Sequence, residues 1–443
     1  MFITMIFRLL TLVFYILRLI IKKQTMSGKS RIILISCIAV FTGIMSLQAQ
    51  TVNEWRGSGR TGIYPESSLL KTWPASGPSL LWESMEAGNG FSSVTVTEDA
   101  VYITGRKGSD DYLTAFTQEG KLKWSTRYGK ASDSNYPDSR GTATYAGGKL
   151  YVVSGAGDMV CIGTDGKIIW SVNYFQKYNS KAPMFGISES SVVVDNKVIG
   201  TPGGNTAAAV AFNAANGSVV WTTPPVKEGT QYVNPLVIES GGRKILVTVT
   251  TGSILGINVA DGKLLWKVSY EGMNTQQGGR RNHTNTPLYR DGFLLVANGY
   301  DQVAVKLKIN PDGSTPTVVW KNTDLTPHVG GAVLLGDLIF SSTHDNNSMG
   351  RWICVDWNTG NTLWINNWHN KGSVISADGM LYIYEERTGN VGLVRPGREK
   401  LDVVSQFRIT KGSGPYWAHP VINKGRLFIR HGEHLAVYSL RSR

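Results

Sequence analysis

The sequence predicts an all-β protein, an eight-bladed β-propeller, on three observations. The composition is that of strands and turns: 50 glycines and 13 tryptophans in 443 residues, with charged residues at 17%, where about 25% is usual. Gly, Val, Thr, Ser and aromatics build short strands and tight turns, whereas a helical bundle would run to Ala, Glu, Lys and Leu. A phrase anchored on tryptophan recurs seven times at intervals of 42 to 54 residues, and four strands at such a period describe a propeller blade. The chain also ends in three strands without a fourth and begins with one spare strand, so its two ends complete one blade between them.

Taken in order, the chain opens on a leader. Residues 1–49 carry six basic residues and no acid, which accounts for much of the formal net charge of +13. The remaining excess is spread without runs, which argues against a nucleic-acid-binding stripe. Residues 1–25 read as an over-extended N-terminus or an extra apolar segment. Met26 is a second start, and residues 26–49 have the basic, apolar and small-residue order of a signal peptide, with cleavage near Gln50. Cys37 lies inside the apolar run, which continues past it, so lipidation there is not expected. The expectation is a periplasmic or secreted protein, with residues 50–443 forming a single domain.

The recurring phrase is a Gly turn, two or three strand residues and then Trp, as in Asn216-Gly217-Ser218-Val219-Val220-Trp221. Its anchors are Trp82, Trp124, Trp170, Trp221, Trp266, Trp320 and Trp364, read as structural tryptophans that cover the neighbouring blade. An eighth copy is degraded, with Phe407 in the anchor position; were that unit not real, seven blades would remain. Cys161 and Cys354 occupy a third-strand position where other units carry Ala115, Ala211 and Gly256, so both read as buried small residues. The spare strand ending in Trp82 is expected to pair in the blade of residues 417–439.

In a propeller the first strand of each blade lies nearest the axis, and the loops leading into those strands line one face. The longest are Tyr174–Ser188, Glu271–Asn285 and Lys411–His419. They bring aromatic rings together with Asn and Arg, which suits planar, peptide or carbohydrate ligands. The candidate binding set is Tyr178, Arg281, His283, Trp417 and His419. His283, His328 and His419 fall on separate blades, so no metal site is expected, and no catalytic motif is present.

The segments Phe212–Trp221, Ile257–Trp266 and Val355–Trp364 resemble the tryptophan-docking repeat of pyrroloquinoline-quinone (PQQ)-type propellers. The opening Glu54-Trp55-Arg56-Gly57 is similar to the start of exported proteins of that kind. That family holds quinoprotein alcohol dehydrogenase-like enzymes and the outer membrane protein assembly factor BamB, a non-catalytic scaffold. The resemblance implies the fold and two functions. In the first, the protein is an exported binding or assembly scaffold, acting as a monomer on an envelope protein, peptide or carbohydrate, with no cofactor. Membrane association would then come only through a partner or the N-terminal segment. In the second, it is a PQQ-dependent oxidoreductase with calcium, for which Glu189 and Asn234 stand at first-strand starts. The adjacent cysteine pair typical of those enzymes is missing.

Overall fold

The computed structural model describes residues 52–270, 282–300 and 302–442. The expected leader, its cleavage near Gln50 and Cys37 lie outside the described residues, as does Arg281. Among the described residues helix is confined to one short turn, Tyr174–Lys177, and a 3-10 turn, Ser58–Arg60.

Eight sheets contain four antiparallel blade strands each, in sequence order in seven of them. Blade 1 runs Thr95–Val96, Val101–Lys107, Asp110–Phe116 and Leu122–Lys130. Blade 2 begins at Thr144–Ala146 and ends at Ile168–Asn173, and blade 3 runs from Val192–Val194 to Val219–Thr222. Blades 4, 5, 6 and 7 start at Leu236–Ser240, Leu288–Arg290, Ala332–Leu335 and Gly372–Ala377. Blade 8 takes Val421–Asn423, Arg426–His431 and His434–Ser439 from the C-terminus and Ser79–Ser84 from near the N-terminus. The register there sets Trp82 opposite Val437.

The glycine of the tryptophan-anchored repeats, unlike Gly397 of the degraded copy, serves two ends. Its φ is positive, 72° at Gly217 and 84° at Gly166, as the hairpin into the outer strand requires. Its missing side chain also admits the anchor of the preceding blade. A Cβ on Gly217 would stand 2.8 Å from the Trp170 ring, and one on Gly120 would stand 2.5 Å from Trp82. The indole N–H then donates across the blade junction, Trp170 to the Ala214 carbonyl at 3.1 Å and Trp221 to that of Val259 at 2.9 Å. Trp266 departs from this pattern. Arg243 fills the place beside Gly313, Trp266 lies over Gly256 of its own blade, and its buried N–H has no partner.

Every outer strand carries a β-bulge, and in seven of them the extra residue directly precedes the anchor tryptophan: Leu81, Lys123, Ile169, Val220, Leu265, Val319 and Leu363. In blade 7 the bulge falls on Val404, which puts Ser405 rather than an aromatic in the anchor position. Phe407 and Trp73 fill that space, their rings 5.4 Å apart, while Ser405 Oγ accepts the backbone N–H of Trp73. Opposite the anchors stand Ala115, Cys161, Ala211, Gly256 and Cys354. Both cysteines are buried and unpaired, and burial pushes their thiols up to about 11 and about 12, which leaves them unreactive.

The first strands are shorter than the sequence suggests. Pairing in blade 1 begins at Thr95 rather than Ser92, and in blade 8 at Val421 rather than Trp417. Residues just before each strand turn their side chains toward the axis instead of joining the ladder. Ser93 Oγ, for example, donates to the His419 carbonyl at 2.8 Å.

Candidate functional site

Residues 52–64 cross the axis. Val52–Asn53 pairs with the first strand of blade 2, and Ile63–Tyr64 pairs in parallel with the first strand of blade 7. Between them Arg60 donates to the carbonyls of Ser190 and Ser191 before blade 3. Arg56 donates to the carbonyls of Val374 and Ala332 in blades 7 and 6 and to Nδ1 of His419. A segment bonded to the inner strands of several blades must occupy the centre. Gly62 and Gly331, at φ 72° and 69°, leave room for the Arg56 guanidinium, where a Cβ would come within 2.3 and 2.7 Å of it.

This segment floors a cavity of about 280 Å³. Trp55 and His419 meet edge to face at its base, ring centroids 5.0 Å apart. His419 Nδ1 accepts from Arg56 and Nε2–H donates to the Val329 carbonyl, which fixes the neutral ring. Burial, aided by the Arg56 charge, pulls its pKa down to about 3. Above it Trp417 contacts Phe91 and Tyr136 at 5.0 and 5.1 Å, and Phe185 bridges Tyr136 and Tyr232. Arg140 sits over the Phe91 ring at 5.7 Å.

The opposite wall is polar. Tyr300 and His328 line it, with Tyr300 Oη 2.8 Å from His328 Nε2 and His328 Nδ1 2.9 Å from Glu386. Lys371 approaches the other Glu386 oxygen at 3.4 Å. A carboxylate so placed accepts the Nδ1 proton and leaves Nε2 to receive the Tyr300 hydroxyl. This chain holds both rings in place and can pass a proton along its length. Only His328 stood out in the sequence; Tyr300, Glu386 and Lys371 come from blades 5 and 7 with no shared motif.

Of the candidate set, Trp417 and His419 line the cavity. Tyr178 instead packs in the hydrophobic cluster with Trp170, Tyr174 and Phe175. Its ring closes the short helical turn down onto blade 2, so it presents no face to the cavity. His283 is fully buried against Tyr270, ring centroids 4.7 Å apart, while its neighbours Asn282 and Thr284 line the cavity. The rings of Phe91, Tyr136 and Tyr232 and the cation of Arg140 lie in loops outside that set and carry no sequence signal of their own.

The cavity offers a poor match to PQQ with calcium. Among the described residues no Asp or Glu lines it, although calcium needs several oxygen ligands, usually carboxylates among them. Glu189 is buried with both oxygens turned to the Thr201 N–H and hydroxyl, and burial raises its pKa to about 7. Asn234 spends its carbonyl oxygen on the Ser190 N–H. The two cysteines sit in separate blades, and among the described residues no three His, Cys, Asp or Glu side chains group as a metal site.

Comparison with known proteins agrees with the fold. BamB of Shewanella oneidensis is 21% identical over 284 residues, which cover 60% of this chain and 66% of that protein. An uncharacterised protein of Rickettsia conorii is 23% identical over 242 residues, 52% of this chain and 53% of its own length. The chain thus spans between half and two thirds of these relatives. The crystal structure of BamB from Moraxella catarrhalis superposes with a TM-score of 0.60 at 14% identity, covering 82% of this chain and 99% of that one. A europium-containing methanol dehydrogenase gives 0.59 at 13% identity, covering 86% and 90%. At such identities the structural likeness shows the fold alone. The family profile described as outer membrane protein assembly factor BamB matches residues 110–367, more than half of the sequence, and the chain belongs to that family.

Proposed function

We propose that the protein is an exported, non-catalytic propeller of the bacterial cell envelope that holds a partner or ligand at the axial cavity. The single observation that carries this reading is the cavity itself: a basket of aromatic rings around Trp417, floored by the N-terminal segment and lined, among the described residues, by no carboxylate. Such a lining recognises by shape and stacking. The name of the matching family, an outer membrane protein assembly factor, supports a protein partner in the envelope. The quinoprotein alternative has the fold in its favour and the donor set against it.

The test is capture from envelope fractions by the tagged full chain, beside the Trp417→Ala variant. Recovery of a defined partner by the parent protein and its loss in the variant, with unchanged melting, is the expected result. PQQ-dependent dye reduction by purified protein with calcium, above a denatured control, would overturn the reading.

A further inference from the structure

We propose that the axial cavity binds a planar aromatic carboxylate, its ring among Trp417, Phe91 and Tyr136 and its carboxylate against Arg140. This rests on the reading of the propeller as a binding protein and names the ligand class of that same cavity.

The observation that leads there is a difference among three buried or partly buried arginines. Arg56 donates to carbonyls of Val374, Ala332 and Gly330 and to His419. Arg430 donates to carbonyls of Gly88, Thr104 and Gly432 and to Ser92 Oγ. Both forks are occupied by the protein. Arg140, on the cavity wall, donates only to the carbonyls of Phe185 and Tyr136. Among the described residues it has no ion-pair partner within 4.0 Å. Burial draws its pKa down to about 10. Among the described residues Arg56 and Arg430 have no carboxylate in contact either, and Asp138 and Asp111 act on Arg140 only from a distance; what sets Arg140 apart is that fewer of its donors are committed to the protein. A buried cation with donors to spare is unfavourable, and a carboxylate supplies what is missing through charge-assisted hydrogen bonds.

The rest of the wall selects the same class. Among the described residues no Asp, Glu or Lys lines the cavity, so no described acid on it competes for Arg140. The uncommitted groups whose sense is fixed are donors. Asn234 has given its oxygen to Ser190 N–H, which leaves its NH₂ without a partner, and the indole nitrogens of Trp417 and Trp55 make no hydrogen bond among the described residues. Ligand oxygens that only accept suit such a lining, whereas each hydroxyl of a sugar must also donate. Stacking on Trp417 and its neighbours requires a flat body. At about 280 Å³ the cavity suits a ring-sized group. That chemistry occurs in a free aromatic acid and at the C-terminus of a peptide with an aromatic last residue.

The experiment is a calorimetric titration of the full chain with phenylacetate, phenylacetamide, a neutral disaccharide, and a decapeptide ending in Phe as free acid or amide. Saturable binding of phenylacetate or of the free-acid peptide is expected, with the matching amide at least about tenfold weaker, a difference of about 1.4 kcal/mol. Binding of the peptide alone assigns the carboxylate to a chain end, and binding of phenylacetate assigns it to a small acid. Arg140→Met should erase the preference for acid over amide. Because Arg140 also tethers two loops, Arg140→Lys is the control, keeping the charge and part of the preference. Trp417→Ala should weaken acid and amide alike. Equal binding of acid and amide, no binding of either acid, or a disaccharide that binds as well as the acid would overturn the proposal. Envelope capture that still depends on Trp417 would, in that case, leave the scaffold reading standing.

Discussion

Glu189 shows what a single buried group does to the molecule. Its carboxyl is held out of water, and burial raises its pKa to about 7 from an ordinary 4.5. Folding therefore costs free energy above pH 7, where the unfolded chain carries a solvated carboxylate; the cost shrinks as pH falls and vanishes below about 4.5. Glu189→Gln, which can still accept from Thr201, should raise the melting temperature at pH 8 and leave it unchanged near pH 4. An equal gain at both would mean that charge burial is not the cause. His419 has the opposite sense: its pKa of about 3 in the fold means that stability drops as pH falls through about 6.5. The tryptophans separate by their hydrogen bonds. Trp170→Ala and Trp266→Ala should each cost about 3–5 kcal/mol. Replacement by Phe should cost more at Trp170, which loses a bond to Ala214, than at Trp266, which has none, as paired denaturant titrations would show. Residue roles were the least legible part of the sequence. Of the residues that loop position singled out, Trp417 and His419 lie on the cavity and Tyr178 and His283 lie in the core, because a loop residue can face either the axis or the core. Arg140 gave no sign at all, since its isolation depends on which carboxylates fail to reach it in space.

At the scale of the strand, the repeat was readable because one phrase encodes a turn, a bulge and an anchor together. A bulge leaves one residue unpaired and increases the local twist. Here it puts two adjacent residues on the outside, and Leu80, Leu81, Ile168, Ile169, Val219, Val220, Val318 and Val319 are 39–48% exposed. The same twist spoils the flat edge that a neighbouring molecule would need for strand pairing. The glycine before each bulge carries two constraints, and they can be separated. Gly148 also has positive φ, 76°, but nothing lies within 4 Å of a Cβ there, whereas at Gly217 the Trp170 ring does. Both Gly→Ala variants should pay for the left-handed backbone, about 1–2 kcal/mol. Gly217→Ala should lose a further 1–3 kcal/mol or so from overpacking, and equal losses in urea titrations would refute the packing role. Strand limits were less legible, because residues such as Ser92 and Ser93 have strand-like character yet bond to the neighbouring blades instead of to a ladder partner.

Over the whole molecule, counting strands at the two ends gave both the blade number and the partner of the first long strand. The axial course of residues 52–64 had no such arithmetic behind it: Glu54-Trp55-Arg56-Gly57 stood out as a phrase, but nothing in its pattern tells that Arg56 reaches three blades. A chain lacking residues 52–84 loses the cavity floor and one strand of blade 8 together. It should unfold without a single sharp calorimetric transition, whereas retention of one cooperative transition at the parent temperature would show that the ring does not depend on its N-terminal strand.

The pairing of Ser79–Ser84 with His434–Ser439 also has a consequence in time. A ribosome makes the first of these strands early and the second almost last, so blade 8 cannot form until nearly the whole chain has been synthesised. Until then Trp82 has no sheet to lie in, and blades 1 and 7 each face an absent neighbour. Contacts so distant in sequence form slowly, and a partly made chain with exposed apolar surface is prone to aggregate. A chain threaded unfolded across a membrane would reach this last step only after its C-terminus had crossed, which places closure of the ring on the far side.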